Sequence, residues 1–365
     1  MAGNPGTVAV AIEVPHGPVV DALLDRGFAV HAINPKQLDR LRDRFSVAGA
    51  KDDRRDARVA ASGLRTDPHL FRPALAGDPV IIELREWSRL ADELQQERVR
   101  LGHRMRQQLW RYYPQLLELA EGDVAAEWVL ALWSMAPTPA QAARLREATL
   151  AKLLRRRRIR RLDAATALGV LRQPAITVAA GVTEAAVLHL RSLLARLRLA
   201  NRAFQQAERR LEELCATLTE SAPAVEDSGP SGLSDAAIPR SLPGVGPVTL
   251  AALLTEAAGP LARRDHAALR TLSGVAPVTK RSGKSCVVVM RYAAQNRLRQ
   301  AMFHWARVAV QRDPKSRARY EALRARGHSC GRALRGVADR LLGVACVLLQ
   351  RHTRFDPDHG TPAAP

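Results

Sequence analysis

The sequence predicts two structural classes in one chain, α/β at the N-terminus and all-α over the rest. Three observations predict it. Hydrophobic residues make up 47% of the 365 but aromatics only 4%, so cores must be built from Leu, Val and Ala, of which Leu and Ala favour helix. The first 45 residues alternate short apolar runs with helical segments, the pattern of a parallel sheet. Beyond Pro79, helical and seven-residue periodicities take over.

T-V-A-V-A-I-E over 7–13 is an apolar run ending in a carboxylate, a buried strand with Glu13 at its C-terminal end. A helix over about 17–26 follows, closed by Gly27. F-A-V-H-A-I-N over 28–34 is a second buried strand, and Pro35 opens a helix reaching about Phe45. Two strands are few for a parallel sheet, so a domain over 1–75 is expected to be incomplete on its N-terminal side. The acidic cluster D-D-R-R-D begins a helix over 52–66. One long charged helix is expected from Pro79 to Glu121, with Trp87, Leu94 and Leu101 seven apart and Leu84, Ala91 and Met105 in the other seam positions. Leu190, Leu197, Phe204, Leu211 and Leu218 repeat every seven residues, with Leu194 and Cys215 between them. Residues 76–220 therefore form a helical region with a coiled-coil seam, weakened by Asn201 and Glu208, able to pair within one chain or across a dimer. The Ser, Pro, Gly and Asp of 221–238 predict a flexible linker. Residues 239–352 form a third, helical domain, and 353–365 a disordered tail.

Lys and Arg number 56 against 36 Asp and Glu, a net charge of +20 that asks for a polyanion. Nucleic acid is the first candidate and an acidic membrane surface the second. Most of these cations are Arg, whose planar fork suits phosphate. No run of 18 apolar residues exists to span a membrane, and M-A-G-N-P-G lacks the basic and apolar parts of a signal peptide. Cys215, Cys286, Cys330 and Cys346 are far apart with no C-x-x-C spacing, which argues against a zinc site or a disulfide framework and for reduced thiols in a cytoplasm.

Four stretches could carry chemistry. Asp53 and Asp56 are three apart and share a helical face; if that face meets Glu13, three carboxylates converge and would need a hard cation such as Mg²⁺. The same two acids could equally cap a helix and pair with Arg54, Arg55 and Arg58. R-R-R-R-I-R-R over 155–161 would place Arg155, Arg156, Arg157 and Arg158 on every face of a helix, against phosphate or simply in solvent. In S-L-P-G-V-G-P, Gly244 and Gly246 make a turn similar to a helix–hairpin–helix, whose amides grip phosphate; a plain helical corner is the alternative. S-G-V-A-P-V-T-K-R-S-G-K-S over 273–285 is a glycine-rich basic loop. Ser282 stands there among Lys280, Arg281 and Lys284, cations that could neutralise the charge of an attacked phosphate. Arg297 and Arg299 follow in N-R-L-R-Q-A, and chemistry alone leaves Ser282 and Ser285 both open as nucleophile.

The ordered set resembles the DEDD transposases of bacterial insertion sequences, insertion sequence 110 family. It is carried by V-A-I-E, A-I-N-P, K-D-D-R-R-D-A, L-P-G-V-G-P, the 273–285 stretch with N-R-L-R-Q-A, and Y-E-A-L-R-A-R-G-H-S-C-G-R-A-L-R-G-V-A-D-R-L-L, spanning about residues 8–350. The resemblance implies a RuvC/RNase H-like N-terminal domain whose four acids bind Mg²⁺, with Glu13, Asp53 and Asp56 matching the second, third and fourth. The first acid has no counterpart before Thr7, so an N-terminally truncated domain with a three-acid site is expected. The resemblance assigns Ser282 as the nucleophile that forms a phosphoserine link to DNA. It implies a structured guide RNA that reads sequence by base pairing, dimers pairing into tetramers, and a bacterial, nucleoid-associated cytoplasmic location. A metal-dependent nuclease or junction resolvase, and a non-catalytic nucleic-acid-binding remnant, are the alternatives.

Overall fold

The two apolar runs near the N-terminus become parallel strands, β1 (Ala9–Ile12) and β2 (Ala29–Ala32), paired from Ala9↔Ala29 to Ile12↔Ala32. In this computed structural model, which describes residues 4–15, 17–45, 52–74, 78–220 and 233–357, the chain divides into two units, Met1–Pro79 and Val80–Pro365. In the first, α1 (Pro18–Asp25) links the strands, with Pro18 in its first turn and Gly27 at φ +81° just after it. Asn34 caps α2 (Pro35–Arg42) by accepting from the Lys36 amide, and Asp52 caps α3 (Asp53–Thr66) by accepting from the Arg55 amide. A third strand, β3 (Arg72–Pro73), adds to β2 antiparallel. It was not predicted, because two residues give no periodicity; proline, which cannot donate, fits an edge. Ile33, Leu38, Leu41, Val59, Ala60 and Phe71 form the core of this unit. Gly63 allows α3 to approach closely, since a Cβ there would lie 2.7 Å from Leu41 Cδ1.

The second unit is organised by two long helices. The first, α4 (Pro79–Tyr112), stops short of the expected Glu121. Pro114 disfavours helical backbone at Tyr113, which takes φ −142°, and a separate α5 (Pro114–Ala120) begins there. Next come α6 (Glu127–Met135), α7 (Pro139–Ala143), α8 (Glu147–Arg156) and α9 (Ala164–Leu171), then α10 (Val182–Glu220). The long pair runs antiparallel within one chain: Arg210 meets Glu83 at 2.8 Å, Arg98 meets Asn201 at 2.7 Å, and Arg104 meets His189 at 3.5 Å. Leu84, Ala91, Leu101 and Met105 on α4, and Leu190, Leu197 and Leu211 on α10, are buried in this one chain. Asn201, a misfit in the heptad, accepts from Arg98 and donates to the Ala125 carbonyl.

Each end of the helix pair carries its own core. At one end α5 to α9 pack around Tyr112, Tyr113, Trp128 and Trp133, where the Trp133 indole donates to Tyr112 Oη and Tyr112 to the Pro137 carbonyl. At the other end lie α11 (Ala237–Arg240), α12 (Pro247–Glu256), α13 (Ala258–Ala262), α14 (His266–Ser273), the strands β4 (Val278–Ser282) and β5 (Ser285–Val289), α15 (Asn296–Arg312), α16 (Pro314–Ala325) and α17 (Cys330–Arg351). Two composition-based boundaries move. Residues 233–238 were assigned to the linker, yet Ala236, Ala237 and Ile238 are buried in this core, their polar and proline neighbours serving a tight helical turn. Residues 353–357 were assigned to the tail, yet Phe355 packs on the core and its amide donates to Ser241 Oγ at 2.9 Å. The remainder of both segments, 221–232 and 358–365, lies outside the described residues.

Candidate nucleic-acid interface

The stretch expected to be a basic loop is a β-hairpin. β4 and β5 pair antiparallel from Val278↔Val289 to Ser282↔Ser285, leaving Gly283 and Lys284 as a two-residue turn. Such turns require positive φ, and Gly283 supplies it at +54°. The strands escape sequence reading because both faces are largely in solvent, so no apolar–polar alternation marks them. Alternation along the strand puts Lys280, Ser282, Ser285 and Val287 on one face and Arg281 and Cys286 on the other. Ser282 is therefore exposed at the hairpin tip, with Lys280 on its own face and Arg281, Lys284 and Gly283 beside it in sequence. Val287 and Val288 are each over half exposed, one on either face of the hairpin. Two thiols, Cys286 and Cys330, are also exposed; Cys215 and Cys346 are buried, and burial pushes the Cys215 thiol up to about 12.

The glycine turn between α11 and α12 is built more for packing than its sequence suggests. Gly244, at φ +85°, lies so close to α15 that a Cβ would sit 2.8 Å from the Ala309 nitrogen. The Trp305 indole donates to the Pro243 carbonyl at 3.0 Å, tying the turn down. Gly246, the N-cap of α12, has open space around it and ordinary φ.

Several predicted contacts separate. Only the first two residues of the run 155–161 lie on a helix, because α8 ends at Arg156, Arg157 caps it and Arg158 is left-handed at φ +55°. Arg157 pairs with Glu127 at 3.3 Å and Arg161 with Glu121, while Arg155, Arg156 and Arg158 are exposed. Arg297, expected to face nucleic acid, is structural: it donates to the Ser88 carbonyl at 2.8 Å and sits 3.6 Å from Glu256 and 3.7 Å from Asp92. Arg299 folds back onto the Tyr292 carbonyl at 2.6 Å. Those acceptors come from remote helices or from a turn, which the local N-R-L-R pattern cannot reveal.

In the first unit, Glu13 follows β1 and is exposed, and Asp53 and Asp56 occupy the first turn of α3. The three carboxylates do not converge. Asp56 is taken by Arg42, whose Nε donates to it at 2.8 Å; the pair is 17% and 11% exposed. Arg42 also holds Asp39, so a guanidinium stands where the expectation placed a metal ion. Among the described residues no three His, Cys, Asp or Glu side chains are grouped to hold a metal. The acids as arranged do not fit Mg²⁺.

Comparison with known proteins adds what geometry lacks. Residues 2–114 match a DEDD transposase model of IS110, described as "Transposase", and residues 236–321 match the "Transposase IS116/IS110/IS902 family". The chain is 33% identical to the "Mini-circle putative transposase for IS117" of Streptomyces coelicolor over 96% of this chain and 82% of that protein. It is 28% identical to the "Insertion element IS110 uncharacterized 43.6 kDa protein" of the same organism over 98% of this chain and 85% of that one. A segment covering 43% of this chain is 68% identical to the "Putative transposase y4uE" of Sinorhizobium fredii, spanning only 44% of that relative. Glu13, Asp53 and Asp56 fall within the first family match and the hairpin within the second.

Proposed function

The chain belongs to the IS110 family of transposases, and from that premise we propose that it cuts and rejoins insertion-sequence DNA through Ser282. The observation that carries this reading is the exposed hydroxyl at the tip of a hairpin with cations on both faces. In the first step Ser282 Oγ attacks a backbone phosphorus. An Oγ–P bond forms, one P–O ester bond breaks, and the departing DNA hydroxyl gains the proton the serine loses. In the second step a hydroxyl of another strand attacks the phosphoserine, restoring the DNA ester and the serine. Lys280, on the Ser282 face, and the neighbouring Arg281 and Lys284 offset the negative charge that builds on phosphate oxygens. No step is routed through a metal. Magnesium at Glu13, Asp53 and Asp56 is part of what the family resemblance implies, and it requires Asp56 to leave Arg42.

The same reading assigns sequence choice to a guide RNA, for which a net charge of +20 offers backbone contacts without base readout. It places the protein on DNA as a homo-oligomer in the bacterial cytoplasm, and no described helix is long and apolar enough to cross a membrane. The test uses full-length protein, a labelled duplex carrying the element's termini, and RNA transcribed from the element's noncoding flank. On a denaturing gel the unmodified protein gives a covalent protein–DNA adduct, Ser285→Ala keeps it, and Ser282→Ala loses it while still binding. An adduct formed by Ser282→Ala overturns the proposal. Cleavage that survives Ser282→Ala without any adduct points instead to water attack.

A further inference from the structure

The foot of the hairpin, away from Ser282, closes a cleft that the reading above does not use. It measures about 210 Å³ and is lined by Val289 of β5, by Met290 and Arg291 after it, by His328, and by Arg332 and Arg335 of α17. A second cavity of about 260 Å³ shares Gly274, Val275, Met290 and Arg335 with the first.

Arg335 is only partly exposed, and among the described residues its hydrogen-bond partner is the Met290 thioether at 3.2 Å. Sulfur of this kind is a weak acceptor. The carboxylate in the cleft, Asp339, is taken by Arg270, which grips it through two bonds of 2.5 and 2.8 Å. Arg332 adds a second positive charge nearby, and Arg291 spends its Nε on the Ala276 carbonyl at 3.3 Å. His328 Nδ1 is buried and has no hydrogen-bond partner among the described residues. A guanidinium withdrawn from water without a carboxylate is costly. Its fork of donors matches a phosphate group in shape and charge.

We infer that this cleft is a phosphate site that holds one backbone phosphodiester of the DNA strand engaged at the hairpin, with Arg335 as its central ligand. Val289 is four residues from Ser285, so the cleft lies about 10–13 Å along the hairpin from the reactive tip. That is roughly three or four base steps of duplex. A strand gripped at the foot is thereby held in register with the serine at the tip. The DNA source of the phosphate rests on the transposase reading; the anion site itself rests on Arg335.

The test uses full-length protein carrying Ser282→Ala, so that no adduct can form, with and without Arg335→Met. Binding of a short duplex is followed across a range of KCl, and thermal unfolding is measured in inorganic phosphate against chloride of equal ionic strength. Loss of one phosphate contact lowers duplex affinity about tenfold and the log–log salt slope by about one. The melting temperature in chloride stays level or rises, because a partly buried cation with no carboxylate partner among the described residues is gone, and the extra stability given by phosphate disappears. Equal affinity and slope in both proteins overturn the inference. So does a fall in melting temperature with Arg335→Met, which marks the arginine as a support of the fold. A phosphate effect on melting without any effect on duplex binding, or a loss confined to RNA binding, overturns the DNA strand as the occupant. Adduct formation with Ser282 intact is a separate readout, so failure of the nucleophile and failure of this site are told apart.

Discussion

Gly244 and Gly246 sit two residues apart in one turn and carry different loads. Gly244 combines positive φ with a backbone contact against α15, so Gly244→Ala meets both dihedral strain and overpacking. The expected loss is about 2–4 kcal/mol by chemical denaturation. Gly246→Ala adds a methyl to open space at ordinary φ and is expected to leave the denaturation midpoint within experimental scatter. A destabilisation of Gly246→Ala equal to that of Gly244→Ala refutes this account of the turn. Both residues were legible as candidates from L-P-G-V-G-P, but which one the fold depends on was not, because Ala309 is remote in sequence. Arg297 and Arg299 show the same limit. They look alike in N-R-L-R, and only the approach of Ser88, Asp92 and Glu256 makes the first a structural tie. Arg335 and His328 lie in the late motif, yet nothing there marks them as lining a cleft: each is an ordinary helical or turn residue until the hairpin foot folds over them.

At the scale of elements, the heptads on α4 and α10 were legible because a seam repeats at fixed spacing. Their direction and partner were not, since the pattern is the same for pairing within a chain or across a dimer. The seam carries the stability. Leu197 is fully buried, and Leu197→Ala is expected to cost about 2–5 kcal/mol in urea unfolding. The ion pairs flanking the seam carry little. Arg196 and Glu97, 3.9 Å apart and 51% and 40% exposed, pair in solvent, so Glu97→Ala is expected to leave the transition unmoved. A larger effect for Glu97→Ala than for Leu197→Ala rules out this division of labour. The hairpin is the opposite case. Its serines and cations were legible in K-R-S-G-K-S while its form was not, because an element wet on both faces has no reason to alternate apolar and polar residues.

For the whole molecule, charge is the dominant property. A net +20 predicts duplex binding that weakens steeply as KCl rises. The exposed part of the basic run, which has no ion pair among the described residues, is the place to test: replacing Arg155, Arg156 and Arg158 together by Gln is expected to lower the salt slope by up to about three, without changing the melting temperature. Arg157, tied to Glu127, belongs to the fold instead. An unchanged slope in the triple variant removes this run from the interface. The amino-acid sequence by itself determined the composition of the cores, the parallel strand pair, the two long helices, the positive charge and the family, because these depend on local periodicity, on summed charge or on ordered motifs. Tertiary structure alone decided which cations remain free. An arginine's role is set by whether a carboxylate or carbonyl from elsewhere in the chain arrives within hydrogen-bonding distance, and that encounter is not written in the residues on either side of it.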